Sequence, residues 1–375
     1  MDSAALRSQG PVPAGGSRSL HDHAGYTAEV DTIGPEAWDR ILGGFEDASY
    51  DQTACYADGR WGIGRTSRLL MLRDGVPVAG AQVALVLLPF PRRGVAFVKF
   101  GPFWRARRAR RDINVYRAVV SALVHEYCTR RNCTLTLAPR PHPEHYRSEI
   151  EILSQSGFEM RRPYEDRNRY FVDLSLGTDE QMRSLDKRWR YTLNRALANR
   201  FDISIEGGEA AFAAFAALHR AMLARKRFFD CEAVHLLPGM SARLPAGMRP
   251  RVALACHAGR PVAGAVVAVL GDVAYYVHGA SDDAALPLSA GYALQWWILR
   301  WLSDKGVRWY DLGGEALEPG LRHFKKGLAG KRGTVLSLTG EYDRWPNLQS
   351  RWIADLIYGA REAKRAIRSL RRAKP

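Results

Sequence analysis

AGRPVAGAVVA at residues 258–268 repeats DGVPVAGAQVA at residues 74–84. Gly75, Pro77, Val78, Ala79, Gly80, Ala81, Val83 and Ala84 return as Gly259, Pro261, Val262, Ala263, Gly264, Ala265, Val267 and Ala268, a constant offset of 184 residues (Gly259 against Gly75). After a hairpin loop that is longer in the first occurrence, VAFVKFG at 95–101 answers VAYYVHG at 273–279. A repeat of this length is domain-sized, so it implies two copies of one domain rather than a stack of short units. Each copy reads as a turn, an apolar strand, a second strand, an amphipathic helix and a third strand. The second copy places the strands and helix at Val262–Leu270, Val273–Gly279, Ala290–Ser303 and Val307–Leu312. The first places them at Val78–Leu88, Val95–Gly101, Ile113–Arg130 and Cys133–Leu137.

The chain has 375 residues, 46% of them hydrophobic, enough to fill two cores. Five scattered cysteines without a C-x-x-C pair read as reduced thiols, not as a disulfide framework or metal site. Residues 1–25 are rich in Gly, Pro and Ser, lack the apolar core of a signal peptide, and are expected to be disordered. The longest apolar run, Ala79–Phe90, falls short of the roughly 20 residues needed to span a bilayer. These features predict a cytoplasmic protein. The net charge of +16 suits a nucleic acid, an anionic membrane surface or a phosphorylated substrate. Basic residues cluster in WRARRARR (104–111), in KRWRYTLNRALANR (187–200) and beyond Arg361.

Within SYDQTACYADGRWG (49–62), Gln52, Tyr56 and Arg60 stand at i, i+4 and i+8, a spacing that places them on one helix face. Pro139, Pro141 and Pro143 close the first copy, and His142 and His145 between and after them read as solvated loop residues. Thr178 and Gln181 form a capping box for a helix that carries Trp189 and Leu193 on one side, with Arg190 and Tyr191 on others. That helix lies between the copies, a favoured location for a ligand. Ser289 or Gly291 opens the second copy's helix and leaves N–H groups suited to an anion. Asp311 stands at the carboxyl end of the strand VRWYDLGG, a usual place for a functional group, with loop capping as the plainer role. Leu348–Leu370 reads as a basic amphipathic helix with an apolar stripe of Trp352, Ile353, Leu356, Ile357, Ala360, Ile367 and Leu370. Such a helix suits an anionic membrane surface, or packs on the body with its basic face solvated.

The duplicated order of elements resembles tandem GNAT-type acyltransferase domains. The fuller pattern resembles the FemABX family: Gln52 with Tyr56 and Arg60, the strand LTLAPRP, the SGFEM turn, RYFVDL, WRYTLNRA, YYVHGAS, GVRWYDLGG and the Phe-Lys of LRHFKKGLAG. The resemblance implies an α/β (α+β) fold of two tandem GNAT-like domains, each a mixed, mostly antiparallel sheet flanked by helices. We therefore expect a disordered tail at 1–25, a first domain at 26–150, a second at 151–345 and a C-terminal helix at 346–375. It also implies transfer of an aminoacyl group from aminoacyl-tRNA to an amine of a peptidoglycan precursor, without a cofactor. The acceptor would carry a diphosphate or lipid carrier, and the protein would act at the inner face of the cytoplasmic membrane.

By the same resemblance, Arg60, Arg190 and Tyr191 correspond to the family's basic and Arg-Tyr positions, and Phe324 and Lys325 to its Phe-Lys pair. Arg60 replaces the usual lysine, and no helical hairpin arm fits between residues 200 and 250. Acyl transfer to an amine needs alignment of two substrates and stabilisation of an oxyanion. Lys325 is expected at the carbonyl or donor phosphate, Arg60 and Arg190 at the acceptor diphosphate, Tyr191 and Tyr276 along the cleft, and Asp311 as recipient of the amine proton. Two other classes remain. One is an acyl-CoA-dependent N-acyltransferase acting on an exopolysaccharide or lipid amine, although the R/Q-x-x-G-x-G/A pyrophosphate loop is absent. The other is a non-catalytic RNA- or envelope-binding protein, whose binding would depend strongly on salt.

Overall fold

The computed structural model describes residues 19–23, 25–90, 93–164, 168–226, 234–314 and 319–373. Two sheets organise them. The first has eight strands in the order Ser19–His23, Tyr26–Val30, Thr66–Arg73, Val76–Leu87, Gly94–Lys99, Thr134–Ala138, Gly340–Arg344 and Glu159–Pro163. The second has seven, in the order Thr334–Ser337, Asn168–Asp173, Trp309–Gly314, Val273–Ser281, Arg260–Leu270, Arg251–His257 and Asp202–Glu206. All neighbours run antiparallel except one parallel pair in each sheet: Gly94–Lys99 with Thr134–Ala138, and Val273–Ser281 with Trp309–Gly314. The two copies of one domain that the repeat implied are present, as the two sheets with their flanking helices.

The repeated motif has the same physical basis in both copies. Asp74–Gly75 and Ala258–Gly259 all have positive φ, the backbone of a tight two-residue hairpin turn that glycine makes accessible. Each turn is followed by a bulge, at Val78 opposite Met71/Leu72 and at Val262 opposite Ala255/Cys256. Gly80 and Gly264 then admit a neighbour that a side chain would exclude. A Cβ at Gly80 would lie 2.6 Å from the Phe103 ring, and one at Gly264 would lie 3.1 Å from Phe215 and Leu254. Alternation along the strands buries Leu69, Met71, Val83, Val98 and Leu135 beneath the helix Ile113–Leu123 in the first half. Val172, Val267, Tyr310 and Leu312 lie beneath the helices Lys187–Leu197 and Ala290–Asp304 in the second.

Several expectations are corrected. The boundaries at 150/151 and 345/346 do not follow the sheets. Glu159–Pro163 and Gly340–Arg344 belong to the first sheet, and the helix Leu348–Ala373 packs on Gly94–Lys99 and Thr134–Ala138. The returning strand covers an edge that would otherwise present unpaired backbone. It is held by Asp343, which is buried, accepts from Thr136 Oγ1 at 2.7 Å and pairs with Arg162. The expected tail falls mostly outside the described residues, but Ser19–His23 pairs as a strand with Tyr26–Val30. The single capped helix at Thr178 is two helices, Thr178–Ser184 and Lys187–Leu197. Asp186 caps the second by accepting from the Arg188 N–H at 2.9 Å.

His142 and His145 are not solvated. They stack at 4.7 Å, and His142 Nε2 lies 3.2 Å from the Asp272 carboxylate. Asp272 stands on the hairpin turn between Arg260–Leu270 and Val273–Ser281, which inserts into the first half. Its N–H donates to Glu46 O at 2.8 Å, and a Cβ at the preceding Gly271 would strike that same oxygen. Arg140 and Arg105 pair with Asp272 at 3.1 and 2.9 Å. Against the cost of burial, they hold its carboxyl well below the usual range. This buried charge network docks the two halves together. No group of three His, Cys, Asp or Glu suited to a metal ion occurs among the described residues. Nor is any helix among them long and apolar enough to cross a membrane.

Candidate active site

The carboxyl ends of the two parallel pairs meet between the halves. In the second half the register holds for Val273–Tyr275 against Trp309–Asp311 and then stops, and the strands part. Asp311 is the last paired residue. Its side chain is fully buried, accepts from Arg169 Nε at 2.6 Å and accepts from the Gly313 N–H at 2.8 Å. Both carboxylate oxygens are therefore engaged, and the expectation that Asp311 receives the amine proton does not fit its place. It fixes the turn that follows. Gly313 has φ of +82°, and a Cβ there would lie 3.6 Å from Lys325 Nζ. Lys325, on the helix Pro319–Ala329, donates from Nζ to Gly314 O at 2.8 Å. Asp311 and Lys325 thus meet on one turn.

The Phe-Lys pair divides its work. Phe324 packs on Tyr292 at 4.9 Å and Trp189 at 5.7 Å, an aromatic cluster that anchors the helix carrying Lys325. Tyr276 follows the last paired residue, Tyr275. Tyr275 shares a face with its register partner Asp311, so Tyr276 points to the opposite face and packs against the second core.

From the first half, Lys99 ends its strand and forms a 2.9 Å ion pair with Asp51, whose carboxylate raises the lysine's pKa. Phe100 follows, and the Arg169 guanidinium lies 5.4 Å from its ring. Arg169 therefore bridges the halves, with Nε on Asp311 and its cation over Phe100. Burial, with the Asp51 carboxylate, raises the Tyr56 pKa and keeps its hydroxyl protonated. Arg169 thus links the neighbourhood of Lys99 and Asp51 to Asp311 and the turn that holds Lys325.

Gln52 is not on the helix with Tyr56 and Arg60. It ends a short turn, Tyr50–Gln52, and the helix Ala54–Trp61 starts after Thr53, whose Oγ1 accepts from the Tyr56 N–H at 3.1 Å. Gln52 is fully buried. Its Nε2 donates to Lys99 O at 2.9 Å, and its Oε1 accepts from the Gln82 N–H at 2.9 Å. It is a brace between strands rather than a substrate contact. Arg60 is exposed at the far end of the helix, 5.9 Å from the Trp61 ring. Arg190 reaches Arg183 O at 3.5 Å, and Tyr191 is 64% exposed with Arg195 6.0 Å from its ring. The described contacts do not join these three to the Lys325 turn.

Sequence reasoning passed over Asp51, Lys99 and Arg169. Lys99 and Arg169 stand at strand ends in VAFVKFG and RYFVDL, but their partners are distant in the chain.

Residues 181–326 match the family described as acetyltransferase (GNAT) domain. This segment is similar to a GNAT domain. It contains the parted strand pair, Asp311 and Lys325, and it ends within the helix Pro319–Ala329. Among solved structures, FemX superposes with a TM-score of 0.68 at 14% identity, covering 84% of this chain and 97% of FemX. L-PGS from Bacillus licheniformis superposes with a TM-score of 0.55 at 15% identity, covering 88% and 97%. The C-terminal domain of an Agrobacterium fabrum protein assigned as a lysylphosphatidylglycerol synthetase gives 0.53 at 13%, covering 83% and 93%. At these identities the likeness is one of fold, and the FemABX-like recognition holds at that level. No curated protein matches the sequence significantly. The GNAT domain within a FemX-type frame makes this an acyltransferase architecture.

Proposed function

We propose that the chain is an N-acyltransferase that forms an amide on an amine of a cell-envelope precursor, with aminoacyl-tRNA as donor. The observation that carries this reading is the parted parallel pair of the GNAT domain, with Lys325 over the turn that Asp311 fixes. The names of the lysylphosphatidylglycerol synthetase and FemX, whose fold this chain shares, support an aminoacyl donor and an envelope or lipid acceptor.

In the reaction the acceptor amine attacks the ester carbonyl, the N–C bond forms, and the C–O bond to the ribose breaks. The proton lost by the amine goes to the departing alkoxide or to solvent. Little covalent chemistry falls to the protein. Lys325 offers a cation to the developing oxyanion, already aimed by its bond to Gly314 O. Lys99, partly exposed beside its Asp51 partner, can donate to a phosphate-bearing substrate, while Arg169 is committed to Asp311 and Phe100. Tyr56 stays protonated and serves as a hydrogen-bond donor. Asp311 is a positioning residue, acting through Arg169 and Gly313. Arg60, Arg190 and Tyr191 lie outside this cluster and fit an outlying part of a large substrate.

A second reading, with acyl-CoA as donor, is favoured by the acetyltransferase description of the matched domain. One experiment separates the two. Purified protein is given a peptidoglycan precursor with radiolabelled aminoacyl-tRNAs in one arm and labelled acetyl-CoA in the other. Label leaving the tRNA pool for the acceptor is the expected result. Label moving only from the thioester would replace the proposed donor, and transfer in neither arm would contradict the acceptor.

A further inference from the structure

The helix Leu348–Ala373 has two faces over residues 348–363, and among these described side chains one face packs on the fold. Ser350, Ala354 and Tyr358 are buried against the first sheet, with Ile357 packed alongside. The opposite face exposes Leu348 (64%), Trp352 (71%) and Leu356 (66%), spaced four residues apart in one stripe. Phe90, 90% exposed, stands at the tip of the neighbouring hairpin, and Arg93 of that hairpin donates to Gln349 at the start of the helix. The apolar stripe of the sequence is thus split: Ile353 and Ile357 turn inward, while Trp352 and Leu356 face out.

We propose that this outer face docks on an anionic phospholipid bilayer. The occupant follows from charge. Between Arg361 and Ala373 the sequence has six Arg and Lys residues against the single acid Glu362. Asp355, beside the stripe, is neutralised by Arg161 at 3.3 Å and Arg351 at 4.0 Å. An exposed aromatic and aliphatic stripe, continuous with a basic segment, inserts its apolar side chains at the headgroup boundary while its cations meet lipid phosphates. The orientation is also suited to this. Thr134 Oγ1 donates to Ser350 O at 2.9 Å, and Tyr358 Oη donates to Thr136 Oγ1 at 2.8 Å. The helix therefore runs with the strand Thr134–Ala138 toward its carboxyl end, where Lys99 and the cleft lie. Docking would bring the cleft to the membrane edge, whichever acyl donor is used.

The test is co-sedimentation of the full chain with vesicles of phosphatidylcholine alone and of phosphatidylcholine mixed with phosphatidylglycerol. Binding to the mixed vesicles that weakens with salt is expected. The Trp352→Glu/Leu356→Glu pair should weaken it by about tenfold or more. Arg365→Glu/Arg368→Glu should weaken it by a similar factor. Val335→Glu, on the second sheet, should leave it unchanged. The replaced Trp352 and Leu356 side chains are exposed, so circular dichroism should show an intact fold. Equal binding to neutral vesicles, no binding, or binding indifferent to Trp352 and Leu356 would overturn the proposal. It would also be overturned if Trp352→Glu/Leu356→Glu abolished self-association in sedimentation velocity, or tRNA binding, with no vesicle binding by the parent chain.

Discussion

In the first half, Val95–Lys99 stays in register with Thr134–Ala138 to its last residue, and the Phe100 N–H then donates to Ala138 O at 2.7 Å. In the second half the equivalent pairing covers Val273–Tyr275 and Trp309–Asp311 and goes no further. Gln82 and Val266 occupy matching positions of the repeat. The Gln82 backbone is held by the Gln52 amide, which also holds Lys99 O, whereas Val266 is buried in a cluster with Phe215. One copy closes its parallel pair with a side-chain brace. The other leaves the pair parted and places a lysine at the opening. On the proposed reading the first copy supports and the second reacts, and the two differ in a few residues rather than in the fold.

The largest effect should come from Asp311→Ala, which leaves the buried Arg169 cation without its carboxylate. Unfolding free energy measured in urea should fall by about 3–5 kcal/mol. A fall below about 1 kcal/mol would show that Asp311 does not fix the second half's turn. Next, Gln52→Leu should cost about 3 kcal/mol by leaving Lys99 O and the Gln82 N–H unpaired, while transfer per folded molecule stays unchanged. A selective loss of turnover would put chemistry in the first half and break the comparison. Lys325→Ala should lower kcat/KM by about 100-fold, or about 2.7 kcal/mol, with an unchanged melting temperature. Unaltered kcat/KM would remove Lys325 from the reaction.

A smaller effect should follow pH. Burial raises the Glu149 carboxyl from 4.5 to about 7, against the hydrogen bond it accepts from Trp104 Nε1. Its folded pKa exceeds the unfolded one, so its contribution to stability falls as pH rises from 4.5 to about 7 and is constant above that. Glu149→Gln should therefore stabilise the protein near pH 8 and have little effect near pH 4, without altering transfer. A gain independent of pH would contradict the assignment of Glu149 as a buried acid.

The repeat, its turns and its strands were legible because they rest on neighbours in sequence: paired turn residues, a bulge after each and a glycine under an aromatic ring. Asp311 stood out because it ends a strand of the repeat, and Lys325 because its Phe-Lys pair resembles the family's. The rest depended on distant partners. Arg169 gains its meaning from Asp311, 142 residues on, and Lys99 from Asp51. The strand GEYDR at 340–344 belongs to the first sheet through Arg162, far back in the chain, which pairs with its acids. His142 and His145 look solvated until the Asp272 hairpin of the other half covers them. Helical spacing misplaced Gln52 because Thr53 caps a helix that begins just after it.

On the proposed reading the second half's parted strands receive the acyl donor. Hydrogen exchange of the full chain, with and without aminoacyl-tRNA and in a separate run acetyl-CoA, tests it most directly. Donor-dependent protection is expected in Val273–Ser281, Trp309–Gly314 and Pro319–Ala329. Protection confined to Gly94–Lys99 and Thr134–Ala138 would contradict it.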